Sequence, residues 1–371
     1  MRHISFIVPP GQLAPSLLRD LAEWDSPSTL VLVLGPSEHL PPCLELSATM
    51  PKSTLIGASS DGTLLGGTVP PKNHFTLTIM RFNASQLVLE VADDDLEESL
   101  GGKLGPPLAK LPLNGIFLMA VGGPTLADLL IRAMNTHTQA PITGGLAATS
   151  LDGKGWIMAG PRILRKGALA LGFLGQASFK SAVASGWEKD ETVPGLRASG
   201  IKGNSIRLLN GIPAIKAIAK ALGLGPKQLA DLKQGKVHFP FAVGMHGKAM
   251  VLNNFDEETG EVLLSGDMDH SGQQIALLKS NPAKLVRATF RAAEEACKHA
   301  SPGVVLFMVC NARREALGSR HQTELGAVAI NMHPESDLIG WYSWGEVAMD
   351  DLGSRFQNLR GIVLSITEPV A

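Results

Sequence analysis

One short stretch of the sequence combines a thiol with two guanidinium groups. Cys310 ends the apolar run VVLFMVC, and Asn311, Arg313 and Arg314 follow within four residues. Ligand crevices in α/β sheets form at the carboxyl ends of strands, and neighbouring arginines lower the pKa of a thiol and attract anions. The stretch therefore predicts an anion-binding or thiol site. The alternative is a small buried cysteine with exposed arginines, because no His or Asp has a spacing that identifies a base for Cys310.

The segment GWYSWGEV, residues 340–347, concentrates scarce aromatic side chains. It holds two of the five tryptophans and the only tyrosine, namely Trp341, Tyr342 and Trp344. Successive side chains of a strand point to opposite faces, so one set is expected in the core and the other beside a cavity. Glu346, next to Gly345, is a carboxylate in apolar surroundings and needs a partner, for which Arg313 or Arg314 would serve. The alternative is a set of core aromatics with a structural ion pair.

A third polar cluster lies in GASSDGT, residues 57–63, where Ser59, Ser60 and Asp61 follow an apolar run. These groups suit either hydrogen bonding to a ligand or an ordinary turn. The glycine spacing and trailing lysine of a phosphate-binding P-loop are missing. The ten histidines show no HxH, HExxH or Cys/His cluster, so a zinc site held by protein ligands alone is not expected. Haem held by one axial histidine stays open, since a single ligand has no spacing signature.

Elements able to position these groups recur three times along the chain. Each copy has an apolar run, a helix-compatible stretch, an apolar segment that breaks into glycine and small residues, and another apolar run. The middle segments are TLIGASSDG, PITGGLAATS and LIGWYSWGEV. This pattern predicts a β-α-β-β module used three times in a mixed α/β protein, with glycine allowing close backbone approach. The three glycine-rich segments are expected to line one pocket.

Local signals predict several further elements. Helices are expected over residues 14–24, 125–135, 213–223, 282–300 and 321–331, with Pro213 and Pro282 at helix starts. Glycines and prolines at 101–107 predict a loop. The polar stretch 186–203 and the turn at Asn210-Gly211 that follows it predict a seam between two packed sheet-and-helix halves.

Composition limits the class of protein. The 371 residues are 44% hydrophobic and 18% charged with a formal net charge of −1, which is typical of a soluble two-domain protein without a nucleic-acid-binding face. Three scattered cysteines fit neither a disulfide framework nor CxxC metal spacing, which favours a reducing compartment. The apolar N-terminal run is too short for a signal peptide or a membrane span. Cytoplasmic location without membrane insertion is therefore expected.

The motifs resemble those of FIST proteins, which carry a FIST N-terminal and a FIST C-terminal domain. The resemblance rests on TLIGASSDG, PITGGLAATS and PAIKAIAKALG, then on FPFAVG, VLLSGDM, VVLFMVCNARREALG and LIGWYSWGEV. It covers nearly the whole chain from about residue 28 to residue 367. It implies an N-terminal extension at 1–27 and domains at 28–210 and 211–371. Family motif positions fall on Cys310, Arg313, Gly345 and Glu346, whereas the chain departs from the pattern at Ala58, Thr63 and Asn210.

The resemblance implies an intracellular, non-catalytic sensory module for small ligands. Its output would pass to a separate signalling protein, such as a histidine kinase. Residues and resemblance together predict a ligand site, with Arg313 supplying charge and Glu346 fixing Arg313 or a ligand donor. Its residues are Cys310, Asn311, Arg313, Arg314, Trp341, Tyr342, Trp344, Gly345, Glu346, Ser59 and Ser60. The alternatives are a haem-binding nitric-oxide sensor, a Cys310-dependent enzyme and a protein-interaction scaffold.

Overall fold

The chain repeats one unit three times, as strand, helix, strand, helix, strand, short bridging strand and final strand. The computed structural model describes residues 1–93, 97–149, 154–234, 239–243, 248–266, 268, 274–350 and 353–369. The first unit comprises β1 (Arg2–Val8), α1 (Pro15–Ala22), β2 (Thr29–Pro36), α2 (Cys43–Thr49), β3 (Thr54–Ser60), β4 (Thr63–Leu65) and β5 (Phe75–Arg81). The second comprises β6 (Ser85–Ala92), α3 (Glu97–Ala109), β7 (Gly115–Val121), α4 (Pro124–Asn135), β8 (Ile142–Leu146), β9 (Ile157–Ala159), β10 (Arg162–Leu164) and β11 (Gly167–Gly175).

The third unit is interrupted by an insertion. It opens with β12 (Ser178–Ala184). The insertion comprises β13 (Glu188–Lys189), β14 (Leu196–Lys202), β15 (Ser205–Leu209), β16 (Ile212–Pro213), α5 (Ala214–Leu222), α6 (Pro226–Lys233), β17 (Phe239–Val243), β18 (Lys248–Phe255), β19 (Val262–Leu264) and β20 (Gln274–Lys279). The unit resumes with α7 (Pro282–Cys297), β21 (Gly303–Cys310), α8 (Asn311–Leu317), a 3-10 turn (Gly318–Arg320), α9 (His321–Ala329), β22 (Asp337–Ser343), β23 (Glu346–Asp350), β24 (Gly353–Gln357) and β25 (Gly361–Thr367).

Strand pairing is the same in all three units. The sheet orders are β1-β5-β2-β3, β6-β11-β7-β8 and β12-β25-β21-β22. The second and third strands of each unit run parallel, and the last strand pairs antiparallel with the first and the second. The predicted threefold repeat is confirmed, and each copy also has one strand and one helix ahead of it. Residues 1–27, expected to be an extension, therefore form the first strand and helix of unit one.

Bridging strands join the three sheets in a cycle. After β3 the chain crosses to pair β4 with β22, after β22 it pairs β23 with β8, and after β8 it pairs β9 with β3. Each unit thus contributes a strand to another unit's sheet. This exchange ties together segments that lie far apart in the sequence.

A glycine in the third strand of each unit makes this packing possible. A Cβ atom on Gly57, Gly144 or Gly340 would lie 2.3, 1.8 or 2.0 Å from a carbonyl oxygen of the neighbouring strand. Real Cβ atoms do not approach an oxygen so closely, so glycine is required at all three positions. The sequence pattern had indicated this close backbone approach.

The inner faces of the three sheets share one central core. Leu32, Phe117 and Trp341 each come from a different sheet, and all three are buried in that core. The helices cover the outer faces: α1 and α2 on the first sheet, α3 and α4 on the second, and α7 and α9 on the third. Hydrophobic burial is thus divided between one shared interior and three outer layers.

The insertion forms a closed antiparallel barrel. Its six strands pair in the order β14, β15, β19, β18, β17 and β20, and β20 also pairs with β14 to close the barrel. The expected division between residues 210 and 211 passes through this barrel, because β14 and β15 precede it and the other barrel strands follow it. The polar stretch 186–203 therefore supplies β13 and β14 of one sheet. Residues 244–247, between β17 and β18, lie outside the described residues.

The predicted helices are confirmed to within a few residues at their ends, but the loop expected at 101–107 is wrong. These residues belong to α3, in which Leu100, Leu104 and Leu108 are buried at helical spacing. Gly101 lies against α4, where a Cβ would be 2.4 Å from the Cβ of Ala133. Close helix packing thus overrides the low helix propensity of glycine and proline. In the described parts of the chain, no helix is both long and apolar enough to cross a membrane.

Candidate functional site

The carboxyl ends of β3 and β22 meet where the first and third units join. The Asp61 backbone N–H donates to the Tyr342 carbonyl over 3.4 Å, and the Tyr342 N–H donates to the Gly62 carbonyl over 2.9 Å. The Ser60 hydroxyl donates to the Gly62 carbonyl and lies 3.3 Å from the Tyr342 carbonyl. The 60–62 turn is therefore fixed against the end of β22, so Ser60 and Asp61 are held by a segment almost 300 residues away in the sequence.

An open polar cavity of about 420 Å³ lies at this junction. Its lining residues are Pro36, Glu38, His39, Ser60, Asp61, Lys72, Asn73, Asn311 and Arg314. The cavity thus draws on both predicted domains, 28–210 and 211–371. Of the site residues predicted from the sequence, Ser60, Asn311 and Arg314 line it.

Arg314 presents its guanidinium to the cavity in a fixed orientation. Its Nη1 donates to the Asp61 carbonyl over 3.0 Å, and its guanidinium carbon lies 4.4 Å from the centroid of the Tyr342 ring. Gly62 leaves room for this stack, because a Cβ there would lie 3.2 Å from both Arg314 Nη1 and Tyr342 Cδ2. The buried phenol has its pKa raised to about 12 by desolvation, so Tyr342 is neutral and offers its ring face to the cation.

Trp344, another predicted site residue, does not line the cavity but is bonded to Asp61, which does. Its indole Nε1–H donates to Asp61 Oδ2 over 2.6 Å, while 43% of the side chain stays exposed. Burial raises the pKa of the Asp61 carboxyl, and the Trp344 hydrogen bond partly opposes that rise. This side-chain bond joins the turn after β3 to the turn after β22.

Arg313 faces the opposite way from Arg314. It is fully buried, and its Nε donates to Glu324 Oε1 over 2.5 Å. Its other nitrogens donate to the Leu285 and Ser185 carbonyls and to the Thr289 hydroxyl. The expectation that Arg313 supplies charge to a ligand crevice is therefore corrected, because α7 and α9 enclose its guanidinium and satisfy it.

Glu346 takes different partners from those expected. Ser343 Oγ donates to Glu346 Oε1 over 2.5 Å, and the Arg360 backbone N–H donates to Oε2 over 3.3 Å. The carboxyl is fully buried, and desolvation raises its pKa to about 8. Neither Arg313 nor Arg314 is its hydrogen-bond partner, so the expected ion pair is replaced by a hydroxyl and a backbone amide.

Cys310 is a neighbour of this segment, as the sequence predicted, but the space between them is filled. Cys310 pairs in register with Ser343 across β21 and β22, and only 6% of Cys310 is exposed. Burial, with the nearby Glu346 carboxylate, raises the pKa of the Cys310 thiol far above its usual range. The expected open hollow at Cys310 is instead packed interior, because the strand end is covered by its own neighbours.

Three other predicted site residues hold units together. Trp341 is fully buried, with its ring edge-on to Phe117 at 6.1 Å between centroids. Ser59 Oγ donates to the Ala148 carbonyl over 2.6 Å, which joins the first unit to the second. The Gly345 carbonyl accepts from the Leu146 N–H over 2.8 Å. None of these three residues lines the cavity.

Comparison with protein-family models decides the family. A FIST N domain matches residues 29–211, and a FIST C domain matches residues 214–349. The chain belongs to the FIST family. FIST domains are associated with signal transduction and with the sensing of small ligands. The comparison with curated proteins gives no match.

The boundary between the two FIST domains does not coincide with a structural boundary. Residues 211–214 fall inside the inserted barrel, and the cavity is formed by residues from both matched regions. The candidate site of this FIST protein therefore exists only when both regions fold together.

Sequence reasoning missed Glu38, His39, Lys72 and Asn73. Glu38 and His39 follow β2, which corresponds in the repeat to β21, the strand that ends at Cys310. Extending the strand-end argument to every copy of the repeat would have selected both residues. Lys72 and Asn73 lie in the connection to β5, and their sequence carries no comparable signal.

The described cavity does not fit haem. Its walls carry Glu38, Asp61, Lys72 and Arg314, whereas a macrocycle needs mainly apolar walls around an axial ligand. His39 is exposed on the rim rather than enclosed. Two further histidines, His246 and His270, lie outside the described residues.

Proposed function

We propose that this FIST protein is a non-catalytic sensor that binds a small polar ligand in the cavity at the junction of units one and three. The observation that carries the proposal is the cavity itself, whose volume of about 420 Å³ lies in the range of small-molecule sites. Its polar groups are held in place by backbone hydrogen bonds and by the stack of Arg314 on Tyr342. A site that needs little reorganisation loses less affinity to ordering.

The position of the cavity supports a sensory role. A ligand that touches both Asp61 and Arg314 contacts units one and three, which β4 also joins, so it favours one relative arrangement of the units. The Asp61–Trp344 hydrogen bond lies on the same junction. Ligand binding would therefore change the surface around Trp344, which a separate partner protein can contact.

Three observations support the remaining parts of the proposal. The buried thiol of Cys310, with its raised pKa, is a poor nucleophile, which favours a non-catalytic role. All three cysteines are free, which favours a cytoplasmic location. The association of FIST domains with signal transduction supports output through a separate signalling protein, such as a histidine kinase.

Native mass spectrometry of freshly purified protein tests the proposal. The expected result is a retained small molecule that Asn73→Trp expels, because Asn73 lines the cavity and an indole in its place would fill part of it. Lys110→Trp, at an exposed position outside the cavity, is the matched control and should keep the molecule. A molecule retained equally by both variants would place the ligand elsewhere. Two negative results together contradict the sensor: the protein retains no small molecule, and a dialysable cell extract leaves amide hydrogen exchange in β4 and β22 unchanged.

A further inference from the structure

We infer that the group recognised in this cavity is a single oxyanion, a carboxylate or a phosphate, held by the guanidinium of Arg314. The inference rests on the proposed function, because it takes the same cavity as the ligand site. It differs from the sequence expectation in its residue, since Arg313 was expected to supply the charge.

Arg314 is prepared for an anion before the ligand arrives. A guanidinium carries five N–H donors, and the bond to the Asp61 carbonyl uses Nη1. Among the described residues the Arg314 guanidinium makes no other hydrogen bond, so Nε and Nη2 remain as donors on a side chain that lines the cavity. Two adjacent N–H groups of one planar fork match the two oxygens of a carboxylate or phosphate.

The underside of the guanidinium is already occupied. Stacking on Tyr342 at 4.4 Å fixes the plane of the fork and shields one face from water. Side-chain ordering, which usually weakens an arginine contact, is therefore largely complete in the free protein.

Arg313 provides an internal contrast. It is the same residue type, one position earlier, and it has an ion-pair partner in Glu324 together with two carbonyls and a hydroxyl. Its hydrogen-bonding capacity is used inside the protein. Arg314 has a single protein acceptor and a cavity beside it, which is the arrangement that a ligand completes.

The other lining groups limit the ligand to one anionic group. Lys72, Asn73 and Asn311 add donors, whereas Glu38 and Asp61 add carboxylates to the same cavity. A polyphosphate or a polycarboxylate would meet like charge at Glu38 and Asp61, which is unfavourable at short range. A molecule with one oxyanion toward Arg314 and neutral or donor groups toward the carboxylates avoids that repulsion.

The experiment titrates the full chain with sodium acetate and, separately, with inorganic phosphate, at constant ionic strength set by chloride. The readouts are the NMR signals of the Arg314 Nε–H and of the Trp344 indole, assigned through Arg314→Lys and Trp344→Phe. At least one anion is expected to shift both signals saturably in the millimolar range, and chloride is expected to shift neither. The stronger of the two arms shows whether the natural ligand offers a carboxylate or a phosphate.

The variants decide whether Arg314 holds the anion. Arg314→Ala is expected to abolish the saturable shift of Trp344, and Arg314→Lys to weaken binding at least about tenfold, because a lysine lacks the fork. Lys72→Ala should weaken binding less than either Arg314 variant. Lys72 is exposed, and its removal leaves the stack of Arg314 on Tyr342 intact. Arg320→Ala removes an exposed arginine outside the cavity and should change nothing.

Two results overturn the inference. One is the absence of a saturable shift with either anion, and the other is unchanged binding by a folded Arg314→Ala protein. Neither result removes the sensor itself. If native mass spectrometry finds an uncharged molecule that Asn73→Trp expels, the cavity remains the ligand site and only the oxyanion is wrong.

Discussion

Asp61 and Trp344 occupy the same position in two repeats, and their side chains hydrogen-bond to each other. Asp61 lies four residues after Gly57, and Trp344 lies four residues after Gly340, the matching glycine of the third unit. The indole Nε1–H of Trp344 donates to Asp61 Oδ2 over 2.6 Å. Equivalent positions of two repeats thus hold a complementary donor and acceptor, and the acceptor lines the cavity.

Replacing Trp344 with Phe tests this contact. The change removes the donor and leaves most of the ring, so we expect a loss of about 0.5–1.5 kcal/mol in the free energy of unfolding, measured with urea. Asp61→Asn is the control, because an amide oxygen still accepts the indole N–H. Equal stability of wild type and Trp344→Phe would show that the hydrogen bond contributes nothing.

Exchanging each arginine for alanine separates structure from ligand binding. Arg313→Ala leaves Glu324 buried without its cation and should lower the free energy of unfolding by about 3–5 kcal/mol. Arg314→Ala removes one hydrogen bond and a partly exposed stack, with an expected loss of about 1 kcal/mol. Chemical denaturation of the two variants side by side checks the order, and a reversed order would contradict the assigned roles.

The buried Glu346 carboxyl makes stability depend on pH. Its pKa in the folded protein is about 8, above the ordinary value of 4.5, so the folded state holds a proton that the unfolded state releases. The contribution of this group is therefore fully present below pH 4.5 and is lost as pH rises through about 8. Within this window the free energy of unfolding should fall by at most about 1.4 kcal/mol per pH unit.

Glu346→Gln isolates that contribution, because glutamine is neutral at every pH. From pH 6 to pH 9 we expect the free energy of unfolding of wild type to fall relative to that of Glu346→Gln. A difference that stays constant over this range would show that the carboxyl is ionised when folded.

The glycine at the strand crossing tolerates no side chain. Gly340→Ala would place a Cβ 2.0 Å from the Phe307 carbonyl oxygen, so the strands must separate, and we expect destabilisation by about 3 kcal/mol or more. Gly326→Ala is the matched control in α9, where a Cβ meets nothing within 4 Å. Higher helix propensity should stabilise that control by about 0.5–1 kcal/mol. Thermal unfolding distinguishes the two, and similar melting temperatures would refute the packing argument.

Thiol reactivity follows from burial. Cys43, Cys297 and Cys310 are all buried, and burial raises the pKa of Cys297 to about 11 and that of Cys310 further. We expect little labelling by a thiol-specific disulfide reagent at pH 7 in the folded protein and three labelled cysteines in denaturant. Rapid labelling of Cys310 in the folded protein would favour the alternative of a cysteine-dependent enzyme.

Much of the fold could be predicted because its signals are local. Apolar runs located the central strands, Pro282 and Gly223 marked helix ends, and the glycines at 57, 144 and 340 indicated close backbone approach. The loop expected at 101–107 failed because contact with α4 stabilises a helix there against its propensity. Propensity is a weak guide wherever burial by a distant element decides the conformation.

The candidate site, like the fold, could be predicted from the sequence only in part. The sequence identified the strand end at Cys310 and the turn at Ser60 as places where chemistry can be held, and three predicted residues do line the cavity. It could not show that Cys310, Trp341 and Glu346 are packed interior, since solvent exposure depends on neighbouring strands from other units.

The sequence alone determined the repeated unit, its obligatory glycines and the membership of the FIST family. Only the tertiary structure decided which of two adjacent arginines faces the cavity. Successive helical residues point about 100° apart, so the packing of α8 against α7 and α9 directs Arg313 inward and Arg314 toward Tyr342. That packing joins segments brought together by folding, and no local pattern of residues encodes their relative orientation.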